Sequence, residues 1–193
     1  MIPSITIRTL LIARLVCALS NTKNVDQQQR KAFFTCWQPY LDRLTQGENT
    51  FVMRNYHSPN ILWRTQKEGF ACIGLIDFQD GLIGRTAYDL VSLAQDARVF
   101  ISPTREAKIL DAYCNARHQA SRPFKESEFR KLYAFAGTQR ASKILGIFAR
   151  LYGRDGKSSY LQYLPHVQDY LARNLSHPML APLQSFYQKI GLL

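Results

Sequence analysis

An amide side chain and a carboxylate lie at the ends of two neighbouring apolar segments, where together they could hold a magnesium ion. Residues 51–80 read FVMRNYHSPNILWRTQKEGFACIGLIDFQD, with Asn60 just before the second apolar run and Asp77 just after the third. Phosphoryl transfer needs divalent cations held against the phosphates, and one carboxylate and one amide oxygen can supply the protein ligands. A carboxylate at the end of an apolar strand is costly unless it is paired or bound to a metal. We interpret Asn60 and Asp77 as metal ligands; the alternatives are a turn asparagine after Pro59 and a loop-capping aspartate.

The segment between the first two apolar runs has the spacing of a catalytic loop, with one change of residue. In protein kinases this loop reads H-R-D, then an asparagine after four intervening residues, with D-F-G further on, and the first aspartate orients the hydroxyl nucleophile. The corresponding residues of this chain are Met53, Arg54, Asn55, Asn60, Asp77, Phe78 and Gln79. Asn55 therefore stands at the position of the aspartate that orients the nucleophile.

Together these residues resemble the aminoglycoside phosphotransferase family, whose loop reads H-x-D-x-H-x-x-N and is followed by I-D-F or I-D-W. His57 matches the second histidine of that loop. The residues that resemble the family's G-x-x-x-x-D-L segment are Gly84, Tyr88, Asp89 and Leu90. The stretch QRASKILGIFARLYGRDGKSSYLQYLP is similar to bacterial phosphotransferases related to cell-wall amino-sugar kinases. The resemblance covers residues 26–193, so we expect residues 1–25 to form a non-matching amino-terminal segment.

The resemblance implies both a fold and an activity. The fold is α+β: the mostly helical carboxy-terminal lobe of the protein-kinase-like fold, with a small sheet at the active-site face. The activity is ATP-dependent phosphorylation of a hydroxyl group on a small molecule, a sugar or an amino sugar. Mg²⁺ and ATP are the implied cofactors. Asn60 and Asp77 are the implied metal ligands, and Asn55 and His57 are the implied catalytic-loop residues.

The residue at position 55 departs from the family pattern in a way that bears on activity. An amide cannot accept a proton from a substrate hydroxyl at neutral pH, and loss of a positioned base typically costs on the order of 10²–10⁴-fold in rate. We expect His57 to fix the geometry of the loop rather than to replace the base, because the family has this histidine beside its aspartate. Asp80 is the one carboxylate that we consider as a substitute base.

A second departure concerns what precedes the loop. A complete enzyme of this family has an amino-terminal lobe with a phosphate-covering loop and a strand lysine, and here only about fifty residues come before the loop. We therefore expect a truncated and impaired phosphotransferase domain that needs an amino-terminal lobe or a partner chain. The alternatives are a non-catalytic, pseudokinase-like remnant and a basic anion-binding module.

Composition restricts the partners and the compartment. The chain has 193 residues, a net charge of +11 and 46% hydrophobic residues, which is enough for one domain with a sizeable core. The excess of basic residues calls for a nucleic-acid or anionic-membrane hypothesis, but they are dispersed among apolar helical positions, so we favour a solvated basic face. The four cysteines are scattered, which favours free thiols in a reducing cytoplasm. They are Cys17, Cys36, Cys72 and Cys114.

The segment 2–20 superficially suggests a signal peptide. Arg14 splits its apolar stretch, which is also too short to span a bilayer. We interpret it as a packed helix or strand or a poorly ordered tail, and we expect a cytoplasmic protein without a membrane partner.

Apolar periodicity and turn residues predict the elements that position these groups. We expect a helix over 26–46, with Asn24 as its cap and Gly47 as its stop, and a turn at 67–69. The predicted strands are 51–54, 61–64 and 70–76. The later predicted helices are 88–97, one that begins at Ser102-Pro103, 126–151, 158–175 and 180–190. We expect Asp89, in a first helical turn, to be structural, and Arg54 to pair with a carboxylate or with backbone oxygens.

Overall fold

The computed structural model describes residues 27–43 and 48–189, most of which are helical. The helices are α1 (Gln27–Arg43), α2 (Ala87–Ala94), α3 (Pro103–Gln119), α4 (Glu126–Asp155), α5 (Leu164–Leu175) and α6 (Ala181–Lys189). The strands are β1 (Asn49–Val52), β2 (Ile61–Trp63), β3 (Ile73–Leu75) and β4 (Leu82–Arg85). Long helices with short antiparallel strands agree with the predicted α+β class.

The four strands form two antiparallel ladders of two strands each. In the first, β1 pairs with β4 and places Phe51 opposite Ile83. In the second, β2 pairs with β3 and places Ile61 opposite Leu75. Gly69, between β2 and β3, has a φ of 57°, a left-handed conformation that glycine adopts without steric cost, and it lies in the predicted turn. The hairpin thus brings the residue before β2 beside the residues after β3.

Residues 48–136 belong to one compact unit, which contains both ladders, α2, α3 and the start of α4. Its buried core consists of apolar side chains from the three helices. They are Ala87, Val91, Ala94, Cys114, Phe129, Tyr133 and Ala136. The helix α3 begins as the sequence predicts: the Arg105 N–H donates to Ser102 Oγ at 3.3 Å, and Pro103 takes the first helical position.

Residues 27–43 and 137–189 belong to a second compact unit, built from α1, the rest of α4, α5 and α6. Trp37 and Tyr187 are among its largest fully buried side chains. The Tyr187 hydroxyl lies 2.7 Å from Ser142 Oγ and so links α6 to α4. A Cβ at Gly137 would overlap the side-chain amide of Asn174, so the glycine allows α4 and α5 to approach closely.

Several large apolar side chains of the two ladders are exposed. Phe51 and Ile83, directly opposite each other on β1 and β4, expose 56% and 69% of their surface. Trp63 on β2 and Phe70 in the following turn are also exposed. Both ladders therefore present apolar groups to solvent.

Several elements differ from the prediction; the predicted helix 158–175, for example, begins as a 3₁₀ helix over Ser158–Tyr163 and becomes α-helical at Leu164. The predicted strand 70–76 is shorter, because Gly69–Cys72 form a 3₁₀ turn before β3 begins. The strand β4 is not among the predicted strands. The predicted helix 126–151 continues through α4 to Asp155 and ends before Gly156, whose φ is 65°.

Some expectations fall outside the described residues. They concern the segment 2–20, Cys17, the cap at Asn24, the stop at Gly47 and the last residue of the predicted helix 180–190. The division after residue 25 stays a prediction. The three cysteines that the structure describes are free thiols. Of the helices described, none has the length and apolar content needed to cross a membrane.

Candidate functional site

The β2–β3 hairpin brings Asn60 and Asp77 together. Asn60 directly precedes β2, Ile76 directly follows β3, and the Ile76 N–H donates to the Asn60 carbonyl at 3.1 Å, which extends the ladder by one step. The next residue is Asp77, and its Oδ2 accepts a hydrogen bond from Asn60 Nδ2 at 3.1 Å. The amide and the carboxylate that the sequence singles out are thus adjacent at the open end of one hairpin.

Asp77 has a backbone and hydrogen-bond setting that leaves its charge available. Its φ of 59° is left-handed, a conformation that aspartate adopts more readily than most residues. Its second oxygen, Oδ1, accepts from Gln79 Nε2 at 2.7 Å. Within the described residues both of its hydrogen-bond partners are neutral amides, and no lysine or arginine pairs with it. An exposed carboxylate without a cationic partner, next to an amide, is a donor set that suits Mg²⁺.

The loop that leads to Asn60 is tied together by its own backbone. The His57 N–H donates to the Asn55 carbonyl at 3.0 Å, and the Asn60 N–H donates to the His57 carbonyl at 2.9 Å. Asn60 Nδ2 also donates to the Asn55 carbonyl at 2.9 Å and lies 3.5 Å from His57 Nε2. The Asn60 side chain therefore links position 55, the histidine and Asp77.

Two carboxylates outside the loop hold its backbone. Asp89, in the first turn of α2, accepts from the N–H groups of Met53 and Arg54 at 2.7 and 3.1 Å. Asp96, just after α2, accepts from the Ser58 N–H at 3.0 Å. The loop is thus fixed near its start and near its end by side chains of a single segment.

Arg54 does not behave as the sequence suggests. Its side chain is exposed and pairs with no carboxylate among the described residues, and only its backbone N–H reaches Asp89. Its φ of 68° places a long side chain in the left-handed region, which costs on the order of 1–3 kcal/mol and persists only where the surroundings enforce it. The expected pairing of the guanidinium is therefore wrong, and the backbone hydrogen bond replaces it.

Asn55 supplies backbone groups to the loop and leaves its side chain available. It is half-buried, and its side-chain amide has no hydrogen-bond partner in the part of the chain that the structure describes. Asp80, the carboxylate considered as a substitute base, lies exposed in the turn after Asp77.

The Tyr56 phenol, in the same loop, is partly buried. This burial, together with the negative charge of Asp89, raises the pKa of Tyr56.

Asp96 contacts the loop, and the sequence does not predict this contact. It is only 2% exposed, and its contact with Ser58 spans 38 positions. The residues next to Asp96 in the sequence form no motif that predicts such a contact. A buried aspartate two residues beyond a helix is recognisable only once the fold has brought the loop to it.

The candidate metal site has two side chains, Asn60 and Asp77. Over residues 27–43 and 48–189, no group of three or more His, Cys, Asp or Glu side chains is arranged to hold a metal ion. Magnesium bound with a nucleotide takes one or two protein ligands, with phosphates and waters supplying the rest. The Asn60–Asp77 pair therefore fits a magnesium ion that is bound jointly by the protein and a nucleotide better than one bound by the protein alone.

Comparison with known proteins gives one family and several relatives. The model of the "Phosphotransferase enzyme family" matches residues 5–126. The chain is 37% identical over 153 residues to an N-acetylmuramate/N-acetylglucosamine kinase of Caulobacter vibrioides, which covers 79% of this chain and 41% of that protein. Proteins of the same name from Neisseria meningitidis and Pseudomonas aeruginosa are 40% and 32% identical, each over 76% of this chain and 45% and 44% of their own lengths.

The chain spans less than half the length of these curated relatives. The family match begins at residue 5, inside the predicted non-matching segment 1–25, and it contains the whole loop and the β2–β3 hairpin.

Proposed function

Because the chain belongs to the phosphotransferase enzyme family, we propose that it is the carboxy-terminal lobe of a kinase-like fold and takes part in transferring the γ-phosphoryl group of ATP to a hydroxyl of an amino sugar. The observation that carries this proposal is the contact between Asn60 and Asp77 across the β2–β3 hairpin. The substrate class is suggested by the relatives, which are named as kinases of N-acetylmuramate and N-acetylglucosamine.

In this proposal Asn60 and Asp77 hold the magnesium ion that accompanies ATP. When bound there, magnesium would neutralise the negative charge that develops on the transferred group. Asp77 supplies a charged oxygen that meets no protein cation among the described residues, and Asn60 supplies a neutral one. The hydrogen bonds from Asn60 to Asn55 and Asp77 keep the nucleophile position and the metal position at a fixed separation.

Asn55 limits the rate of phosphoryl transfer. Its amide oxygen can accept a hydrogen bond from a sugar hydroxyl and so orient it, but it cannot take the proton away. The hydroxyl must then lose its proton to solvent or to phosphate, and turnover is slow. His57 fixes the geometry of the loop, since its backbone N–H and its backbone carbonyl both form hydrogen bonds within the loop.

A second candidate function is favoured by the same residue. A lobe with an amide at position 55 can bind metal and nucleotide without turning over, in the manner of a pseudokinase. The need for an amino-terminal lobe from a partner, and the cytoplasmic location, stay predictions from the sequence.

Restoring the carboxylate separates the two candidates. We expect Asn55→Asp to raise the rate of MgATP-dependent phosphorylation of N-acetylglucosamine about 10²–10⁴-fold, because it restores a positioned base. Phosphorylated sugar is measured by ³¹P NMR with the chain fused to the amino-terminal lobe of a related kinase, because the sequence predicts that this lobe completes the nucleotide site. Combining Asn55→Asp with Asp77→Asn should remove the gain, whereas combining it with Asp111→Asn, an exposed carboxylate paired with Arg130, should not.

Metal binding is measured beside turnover, with Mn²⁺ as the paramagnetic substitute for Mg²⁺ in electron paramagnetic resonance. Binding that depends on Asp77 with no turnover in Asn55→Asp would favour the non-catalytic candidate. If Asp77→Asn leaves Mn²⁺ binding unchanged, the assignment of the metal site is wrong.

A further inference from the structure

Asp96 is a buried carboxylate whose two oxygens both serve the backbone. Oδ2 accepts from the Ser58 N–H at 3.0 Å, and Oδ1 accepts from the Arg98 N–H at 2.8 Å. Asp96 is buried, with only 2% of its surface exposed. No lysine or arginine side chain in the described residues forms an ion pair with it.

Burial of such a charge needs compensation. A carboxylate removed from water is strongly disfavoured unless hydrogen bonds replace its hydration. Bonds from backbone N–H groups to a carboxylate are charge-assisted and roughly twice as strong as neutral ones. Since Asp96 depends on Ser58 and Arg98 for this compensation, the position of the Ser58 N–H is narrowly defined.

Asp89 lies in the first turn of α2, and Asp96 lies two residues beyond its end. Asp89 holds the N–H groups of Met53 and Arg54, and Asp96 holds that of Ser58. The segment that contains α2 thus acts as a template that fixes both ends of the loop.

The hold on Ser58 extends to Asn60 through a rigid turn. Ser58–Asn60 form a single 3₁₀ turn, and its second residue is Pro59, whose ring fixes φ. The turn has little freedom to absorb a displacement of its first residue. A shift at Ser58 is therefore carried to Asn60, whose amide contacts Asp77 at 3.1 Å.

We infer that Asp96 is a positioning residue for the metal site: by holding Ser58 it sets where the Asn60 amide lies relative to Asp77 and to position 55. The metal part of this inference rests on the proposed function. Residues that orient metal ligands without touching the metal typically change metal affinity about 10–100-fold when they are substituted.

The first test measures the hydrogen bonds themselves. In the amide NMR spectrum of Asp96→Asn, a variant of nearly the same shape, we expect the Ser58 and Arg98 N–H resonances to move upfield, since the amide keeps one oxygen, which accepts more weakly than a carboxylate, and its NH₂ group cannot accept. The side-chain NH₂ resonances of Asn60 should move with them. The Met53 N–H, which Asp89 holds, is the internal control and should stay in place.

The second test measures metal affinity in the full chain. We expect Mn²⁺ affinity to fall about tenfold in Asp96→Asn, which keeps one acceptor oxygen, and toward 100-fold in Asp96→Ala, which keeps none. The matched control for lost stability is Tyr133→Phe, at a buried position on α4 whose hydroxyl donates to Glu106 on α3 at 2.8 Å. Its Mn²⁺ affinity should equal that of the unaltered chain.

The outcomes separate this inference from the proposed function. If Asp77→Asn loses Mn²⁺ binding while Asp96→Asn keeps it, the positioning role is wrong and the metal site stands. A fall of the same size in Tyr133→Phe would mean that any loss of stability weakens the site, which also overturns the role. If the unaltered chain does not bind Mn²⁺, the metal site fails and the Asn60 resonances decide: unchanged resonances in Asp96→Asn overturn the positioning role, and shifted ones support it.

Discussion

Asn55 differs from an aspartate by one atom, and the structure indicates why replacing that atom need not disturb the loop. The backbone of Asn55, not its side chain, takes part in loop hydrogen bonds: its N–H donates to the Met53 carbonyl, and its own carbonyl accepts from His57 and from the Asn60 side chain. An aspartate has nearly the same shape and would keep all three bonds. Asn55→Asp therefore tests chemistry with little change of fold.

Tyr187 gives the second unit a dependence on pH. Complete burial raises the pKa of its phenol above the ordinary value, and the hydroxyl remains paired with Ser142 at 2.7 Å. Because the pKa is higher in the folded state, the stabilisation is fully present below about pH 10 and is lost as the pH rises further, when the unfolded chain ionises first. We expect the free energy of unfolding to fall above pH 10, with up to about 1.4 kcal/mol per pH unit coming from this group.

The measurement is urea unfolding between pH 9 and pH 11.5. Tyr187→Phe should show a shallower fall, even though it is less stable at neutral pH through loss of the Ser142 partner. Tyr152→Phe, at an exposed position, should keep the original slope. Equal slopes in the unaltered chain and in Tyr187→Phe would contradict the assignment.

At the scale of single residues, the sequence identifies the groups that carry local motifs and misses those that depend on folding. Asn60 and Asp77 are recognisable because each directly follows or precedes an apolar run, and a short hairpin is enough to join them. Asp96 has no such mark, since its partner lies 38 positions away. The guanidinium of Arg54 is misjudged for a related reason: the loop turns left-handed there, so the backbone and not the side chain meets Asp89.

Among the elements, the crossing of α4 and α5 depends on the absence of a side chain at Gly137. A methyl group there would overlap the amide of Asn174, which is 5% exposed and belongs to a packed helix. We expect Gly137→Ala to lower the free energy of unfolding by about 1–3 kcal/mol, the usual cost of overpacking a core, despite the better helix propensity of alanine.

A double-mutant cycle measured by urea unfolding checks this contact. Asn174→Ala makes room for the added methyl, so the double variant Gly137→Ala/Asn174→Ala should lose less stability than the sum of the two single variants, by about 0.5–3 kcal/mol. Strict additivity would mean that the two residues do not compete for the same space.

The elements with strong local signals are those that the sequence predicts well. Ser102-Pro103 marks the start of α3 because a capping hydroxyl and a proline both act within one turn. The strand β4 is missed because its four residues, LIGR, have no alternation of their own and become a strand by pairing with β1, some thirty positions earlier. The predicted strand 70–76 is too long because Gly69 bends the chain into a 3₁₀ turn, which apolar content alone does not reveal.

For the whole molecule, the dominant electrostatic fact is a net charge of +11. Mutual repulsion of like charges disfavours the compact state, and added salt weakens it as the Debye length falls from about 30 Å at 0.01 M to about 10 Å at 0.1 M. The exposed ion pairs are also screened, but each contributes only about 0–1 kcal/mol. We expect the melting temperature to rise with NaCl, by about 2–4 °C for each 1 kcal/mol gained.

A charge variant serves as the control for this salt effect. Lys108 is exposed on α3, and Lys108→Glu lowers the net charge from +11 to +9, since one positive charge is lost and one negative charge is added. The rise of the melting temperature between 0.01 and 0.3 M NaCl should be smaller in this variant. A melting temperature that falls with salt would mean that the attractive pairs outweigh the net repulsion.

The exposed pair Phe51 and Ile83 has a practical consequence for handling the protein. Among the described residues this ladder has two strands only, and a two-stranded ladder with an exposed apolar face can pair with another extended segment, including one from a neighbouring copy. Concentrated samples will therefore tend to self-associate through the β1–β4 ladder. Replacing Phe51 and Ile83 with threonine or lysine keeps the strand alternation and gives the ladder a polar exposed face.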